Sequence, residues 1–384
     1  MNEQPIRVTF VVPLMQAGGS ERHLTTLLPR LDPARLRPSV VCLGGEGNMF
    51  ADLEAAGIPA TALNLRKWQV VRAVRELVAT FRRNRADVVV MTGYNAETLG
   101  RIAARIAGVG HTILWVHNAS EITPRSVVHR FIDRALSRWT SAYFGVAAVQ
   151  RHFLVHERGY AADRVRIIHN GVDPALFDGA TDRRVLAELG VTAGVPVVGI
   201  LGSLRPEKDH ATFLRAARLV VDHVPDAQFL VVGDGQCRAA LESLRGTLGL
   251  AEQVHFVGAR SDISRILCAI DVFALTSTTE CLPMALLEAM ACARPAVCTA
   301  VGGVVEVLDD GVTGYLVPSK DPERLAQRLI ELLGNPLTAR RMGRAGRRRV
   351  ESDFSLDRSV EAAQNAIEDL VAAQYTRADG ANAC

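Results

Sequence analysis

Two short segments combine residue types that could hold an anion and a polyol at once. The first runs Thr276-Ser277-Thr278-Thr279-Glu280-Cys281-Leu282-Pro283-Met284 and on to Ala291. Pro283 suits the first turn of a helix, so the sequence predicts a helix N-terminus just after Glu280. The backbone N–H groups of Leu282 and Met284 would then face an anion. Glu288 lies one to two turns deeper, at about 1.5 Å rise per residue. Two carboxylates at different depths can grip two hydroxyl-bearing parts of one ligand. The plainer alternative makes Glu288 a surface residue, but Leu287, Ala289 and Met290 beside it read as buried, so its carboxylate needs a partner. The second segment is Gly202-Ser203-Leu204-Arg205-Pro206-Glu207-Lys208-Asp209. Gly202 allows a tight turn, and Arg205 and Lys208 precede a predicted helix near 209. A guanidinium, an ammonium and free helix N–H groups form an anion pocket whose natural guest is a diphosphate. A capped surface loop with solvated charges remains the alternative.

Other glycine patterns are weaker. Gly233-Asp234-Gly235 opens like a dinucleotide-binding fingerprint, but Arg238 occupies the third glycine position; Gly45-Glu46-Gly47 fails in the same way at Phe50. Both read as strand-to-helix turns rather than as a nicotinamide site. No Asp-x-Asp triplet occurs, so the short acidic motif that could hold a donor through a divalent cation is missing.

Stepping from residues to elements, 384 residues with 48% apolar and 22% charged side chains supply two buried cores and exclude a disordered chain. A net charge of +3 and 5% aromatic residues argue against nucleic acid as a partner. The 7 cysteines lack CxxC spacing and suggest reduced thiols in a cytoplasm. No signal-peptide pattern or spanning apolar stretch stands out. Predicted strands at 7–12, 39–43, 87–91 and 112–116 alternate with helices at 22–31, 49–56, 70–85 and 98–107. After His169-Asn170-Gly171-Val172-Asp173 the alternation restarts, with strands at 197–201, 228–232, 254–257, 272–275 and 296–299 and helices at 209–224, 236–248, 283–293 and 321–333. This is an α/β chain of two Rossmann-like, doubly wound parallel-sheet domains. Ligands in such sheets sit beyond the carboxyl ends of the strands, and two such domains create a cleft.

Glu280, Glu288, Pro295, Gly302-Gly303, Glu306 and Gly311-Val312-Thr313-Gly314 are similar to the C-terminal signature of family 4 glycosyltransferases (GT4), retaining enzymes of GT-B fold that use nucleotide-sugar donors. Gly18-Gly19-Ser20-Glu21 resembles the family's N-terminal glycine loop, His117-Asn118 its cleft histidine, the 169–173 segment its interdomain stretch, and Arg205 with Lys208 its phosphate-binding pair. The likeness spans roughly 7–360. Cys281 and Ala293 depart from it by standing where glycine is expected.

The resemblance implies that Arg205 and Lys208 hold the diphosphate and stabilise the departing charge. Pro283 opens a helix that adds its dipole, with Leu282 and Met284 at its mouth. Glu288 binds ribose hydroxyls and Glu280 those of the transferred sugar. Gly19 lets its loop approach the phosphates or acceptor, His117 touches the sugar, and Gly258-Ala259-Arg260 holds the base through its main chain. The resemblance implies no cofactor beyond the donor substrate. The missing Asp-x-Asp triplet predicts transfer without a metal, the two cations and the helix end supplying the countercharge. It implies a saccharide or lipid-linked acceptor, as in bacterial surface-polysaccharide or glycolipid assembly. Domains are expected over 1–175 and 176–354, with a helix over 355–376 crossing back to the first and a flexible tail over 377–384. Arg130, Arg134 and Arg138, spaced i,i+4 on a helix over 126–139, lie opposite Val127, Val128, Phe131, Ile132, Leu136 and Trp139. This helix could rest on anionic lipid at the inner membrane face, or it could be a core-facing helix with a solvated basic side. The Arg-rich stretch 340–349 has the same two readings. A non-transferring, epimerase-like enzyme on the same fold and a binding module without turnover are the competing functions. Donor-only against donor-plus-acceptor assays separate the first; the complete set of Arg205, Lys208, Glu280 and Glu288 argues against the second.

Overall fold

Apolar β-branched runs too short for helices form the strands of two parallel sheets, each buried on both faces as parallel sheets require. The computed structural model describes residues 4–15, 18–66, 68–117, 127–177 and 182–381. Among them the chain divides into two compact units, Met1–Asn170 with Leu356–Cys384, and Gly171–Ser355. The first unit holds β1 (Ile6–Val12), β2 (Leu36–Cys42), β3 (Ala60–Ala62), β4 (Val88–Met91), β5 (His111–Val116), β6 (Ala142–Gly145) and β7 (Val165–Ile167), in the order β3-β2-β1-β4-β5-β6-β7. The second holds β8 (Val197–Leu201), β9 (Gln228–Val232), β10 (Val254–Gly258), β11 (Val272–Leu275), β12 (Ala296–Thr299) and β13 (Gly314–Val317), in the order β10-β9-β8-β11-β12-β13. Every ladder is parallel. Each sheet therefore reverses its strand order once, between β1 and β4 and between β8 and β11, and each has a crevice beyond the carboxyl ends of that pair.

The core of the second unit packs Val198, Ile200, Phe213, Phe229 and Val231 from β8, β9 and the helix His210–Val221. The rings of Phe213 and Phe229 meet edge to face at 5.8 Å. In the first unit the helix Leu356–Ala381 docks through polar pairs: Arg35 to Glu368 at 2.6 Å, Arg166 to Asp369 at 2.9 Å, and the Asp32 amide to Gln364 Oε1 at 2.6 Å.

Several elements differ from expectation. The strands β3, β6, β7 and β13 lie outside the predicted set, each being only three or four residues long. The Arg-rich stretch lies within the helix Pro336–Asp353, which buries Met342, Gly343, Gly346 and Val350 and so is a packed element with a basic outer side. The last helix continues to Ala381, so the expected tail from 377 is helical through most of its length. The apolar stripe of the helix Val127–Ser137 is split: Leu136 is buried beside Asp133, while Phe131 is 75% exposed and Ile132 36%. The cause is electrostatic. Asp133 takes a hydrogen bond from buried Arg101 at 2.7 Å and another from Tyr160 at 2.5 Å, and a buried carboxylate so paired fixes the helix rotation.

Ala293 has φ of +54°, the left-handed region, where it ends the helix Met284–Ala291. The Arg294 amide reaches Ala289 O at 3.0 Å and the Ala293 amide reaches Met290 O at 2.9 Å, a Schellman-type end that favours glycine. This is the physical content of one departure from the family pattern. Ala293→Gly should raise stability by roughly 1 kcal/mol, which is about 2–4 °C in thermal midpoint for a unit of this size. An unchanged or lower midpoint would contradict the assignment of strain there.

Candidate active site

The loops after β8 and β11 flank the reversal point of the second sheet, and hydrogen bonds stitch them into one piece. The Thr278 amide donates to Glu207 O at 2.8 Å and its hydroxyl to the same oxygen at 3.2 Å; Thr276 Oγ1 donates to Lys208 O at 3.0 Å. From behind, Thr299 Oγ1 of β12 donates to Ser277 O at 2.6 Å. The Thr-Ser-Thr-Thr run thus satisfies the carbonyls of a neighbouring loop, work that secondary structure cannot do at a strand end.

Two cations stand on the β8 loop. Lys208 Nζ lies 2.6 Å from Glu280 Oε1, which also accepts from Ser277 Oγ at 2.6 Å. The Glu280 side chain is 8% exposed and that of Lys208 26%, so the pair sits at the floor of the crevice with the ammonium on its open side. Arg205 is 64% exposed, with the Glu207 carboxylate 4.0 Å away. Asp209, at φ of +44°, caps the helix His210–Val221 by accepting from Thr212 N and Oγ1.

Glycines set the spacing. A Cβ on Gly302, at φ of +51°, would fall 1.7 Å from Glu280 O. A Cβ on Gly233 would fall 2.0 Å from Gly202 O, and one on Gly235 2.6 Å from Leu204 O. The Gly-Asp-Gly loop is therefore more than a turn: it lies directly against the β8 loop, where Leu204 N donates to Asp234 O at 3.0 Å and Cys237 N to Leu204 O at 2.9 Å.

The helix bearing Glu288 starts later than expected, at Met284, with Pro283 as its cap and the Pro283 carbonyl accepting from Leu286 N at 3.1 Å. Leu282 and Met284 bury their side chains, and Glu288 is buried within the same helix. Gly258 ends β10 at φ of +72°, and its carbonyl accepts from Gly233 N at 2.8 Å. Arg260 spends its guanidinium on Asp262, through two bonds of 2.8 Å. Arg205, Lys208, Glu280, Leu282, Pro283, Met284 and Glu288 thus belong to the loops and helix at the reversal point, while Gly258 and Arg260 follow β10 at the same end of the sheet.

Gly19 and His117 belong to the other unit. Gly19 begins the helix Gly19–Leu27 and is exposed. His117 follows β5 directly and is buried, stacked on Trp115 at 5.0 Å and 5.6 Å from His23. Asn118 lies outside the described residues. His23, which sequence reasoning missed, meets Ser359 Oγ at 3.1 Å, and Ser359 donates to His169 O at 2.8 Å. Burial holds His117 well below the usual imidazole range and His23 at about 4. His210, beside Lys208, is likewise brought down to about 4, by burial first and the ammonium second.

Comparison with known proteins bears on this arrangement. A model described as "Glycosyl transferases group 1" matches residues 184–349, and one described as "Glycosyltransferase Family 4" matches 17–176. An alpha-maltose-1-phosphate synthase of Mycolicibacterium smegmatis is 31% identical over 284 residues, covering 67% of this chain and 72% of that protein. The chain belongs to the family 4 glycosyltransferases. This glycosyltransferase is also 25% identical, over 82% of its length and 83% of the relative, to the UDP-Gal:alpha-D-GlcNAc-diphosphoundecaprenol alpha-1,3-galactosyltransferase of Escherichia coli. Among solved structures, Anabaena HepE in complex with UDP and glucose superposes with a TM-score of 0.85 at 22% identity, over 95% of this chain and all of that one. That likeness establishes the GT-B fold.

Two outcomes follow from the geometry. Gly302→Ala, which drives a Cβ into the Glu280 carbonyl, should cost more than about 2 kcal/mol, whereas Gly334→Ala, whose Cβ would meet nothing within 4 Å, should be tolerated; thermal midpoints compare them. His23 and His210 have folded values below the unfolded value of 6.5, so the unfolded chain takes up their protons first as pH falls. Stability is therefore full above about pH 6.5 and declines toward about pH 4. His210→Asn should flatten part of that decline in midpoint against pH; an unaltered profile would show that His210 is not buried neutral.

Proposed function

We propose that this glycosyltransferase moves a hexose-type sugar from a nucleoside-diphosphate sugar to a hydroxyl acceptor, with retention of anomeric configuration and without a metal ion. The observation that carries the reading is the Lys208–Glu280 pair, fixed by Ser277 at the reversal point of the sheet, with exposed Arg205 on the same loop. Cations and a carboxylate held side by side suit a ligand with a diphosphate at one end and hydroxyls at the other.

In this reading Arg205 and Lys208 bind the diphosphate and take up the charge that develops as it leaves. The helix opening at Met284 adds its N–H groups, with Leu282 and Pro283 shaping the approach. Glu280 binds hydroxyls of the transferred sugar while Lys208 turns to phosphate, and Glu288 binds the ribose. The main chain at Gly258–Arg260 holds the base, the Arg260 side chain being engaged with Asp262. His117, which burial keeps neutral, is suited to touching a sugar, and Gly19 leaves its loop room to approach a phosphate or the acceptor. The departing phosphate accepts the acceptor's proton on the face it leaves, which preserves configuration without an enzymic nucleophile. A lipid-linked saccharide is the acceptor class we favour, since the Escherichia coli relative is named for a diphosphoundecaprenol-linked one.

A thermal-shift screen over UDP-, GDP- and ADP-sugars tests the donor assignment. One of them near 100 times its Kd should add about 2.7 kcal/mol of stability, and the shift should vanish in Arg205→Ala with Lys208→Met. Turnover of that donor should persist in chelator and yield a product of the donor's anomeric configuration. Loss in chelator with recovery on Mg²⁺, or no shift with any donor, would overturn the proposal.

A further inference from the structure

The solvent side of the helix Val70–Arg83 carries large apolar groups that the core does not need. Its buried side is complete: Ala73, Leu77, Thr80 and Phe81 face inward. Yet Trp68 is 73% exposed, Val71 76% and Val70 49%, three apolar residues within four positions at a helix start that should be polar. Arg66 and Gln69 are bonded to each other on either side of Trp68. Arg66 N donates to Gln69 Oε1 at 2.9 Å, and Gln69 N donates to Arg66 O at 2.9 Å.

The rim of this patch is basic. Arg66, Arg72 and Arg75 are exposed, and among the described residues none of them forms an ion pair. Val71 and Arg75 share one face at i,i+4 spacing, with Arg72 beside them. Glu76 is the acid on this stretch of helix. A tryptophan and a valine in a ring of guanidinium groups match the boundary between lipid headgroups and acyl chains. The patch follows β3 and so lies beyond the carboxyl ends of its strands, the end at which Gly19 follows β1. No described helix is long and apolar enough to cross a membrane, so contact with lipid would have to be peripheral.

We infer that Trp68, Val70 and Val71, with Arg66, Arg72 and Arg75, form a docking surface for an anionic lipid bilayer. The tryptophan enters the interface and the guanidinium groups pair with lipid phosphates. The inference deepens the lipid-linked acceptor reading by naming the residues that would bring the enzyme to that acceptor. Its test uses vesicles without any acceptor, so that the two stand or fall separately.

The full chain is sedimented with vesicles of phosphatidylcholine alone and with vesicles containing phosphatidylglycerol. Binding should require phosphatidylglycerol and weaken with salt. Indole emission should shift to the blue in the same samples and should still do so in Trp139→Phe, since Trp115 is already buried and Trp139 is half-buried. Trp68→Ala with Val71→Ala should lower partitioning about tenfold or more, as should Arg72→Glu with Arg75→Glu, both at unchanged thermal midpoint. Phe131→Ala, which removes the other large exposed aromatic among the described residues, should bind like wild type. The inference is overturned if phosphatidylglycerol vesicles are not bound, if pure phosphatidylcholine binds equally, or if only Phe131→Ala loses binding. It is also overturned if sedimentation shows a dimer that Trp68→Ala dissociates, since the patch would then belong to a second copy of the chain.

Discussion

The ammonium of Lys208 and the carboxylate of Glu280, 72 residues apart in sequence and 2.6 Å apart in space, are held by loops that cannot move independently. The carbonyls of Glu207 and Lys208 are engaged by Thr276 and Thr278, and Ser277 is bonded to Glu280 on one side and Thr299 on the other. A carboxylate this buried depends on its partners, because leaving it unpaired would cost several kcal/mol. The same contact means that an incoming phosphate must compete for an ammonium already engaged. On the proposed function, the site rests with its positive charge partly neutralised and would present it fully only when the carboxylate meets sugar hydroxyls instead.

The rest of the second unit can be understood as holding that clasp in place. The strand order reverses between β8 and β11, which opens the crevice that the two loops line. Gly233, Gly235 and Gly302 let three neighbouring loops approach to backbone contact. The helix Met284–Ala291 places Glu288 behind this wall and ends in a left-handed alanine that costs stability. The first unit repeats the topology with different contents: its reversal lies between β1 and β4, and its polar interior is a line of His117, His23, Ser359 and the His169 carbonyl that reaches the final helix.

Much of this was legible in the residues. Periodicity located strands such as 197–201 and 228–232 to the residue, because each is a five-residue, largely apolar run that stops at a glycine, Gly202 or Gly233. Glu280 and Lys208 each stood out by type and position, but their pairing did not, since no local signal couples residues that meet only through strand order. The helix over 127–137 was read by its apolar stripe, of which the structure buries Leu136 and exposes Phe131, because the buried Asp133–Arg101 pair fixes the rotation. Gly233 and Gly235 read as turn residues, since only the folded chain reveals what passes in front of them. His23 had no signature at all: its partners come from the far end of the chain.

The central claim is that Lys208 serves the diphosphate and Glu280 restrains it until sugar arrives. Calorimetric binding of UDP, GDP and ADP, the bare nucleoside diphosphates, to wild type, Lys208→Met, Glu280→Gln and the double variant tests this directly, using whichever of them wild type binds. The account predicts that Lys208→Met weakens its binding by an order of magnitude or more, that Glu280→Gln leaves it unchanged or tighter, and that the double variant matches Lys208→Met. Equal weakening in both single variants would contradict it, because Glu280 would then be binding the diphosphate side of the ligand rather than holding its cation in reserve.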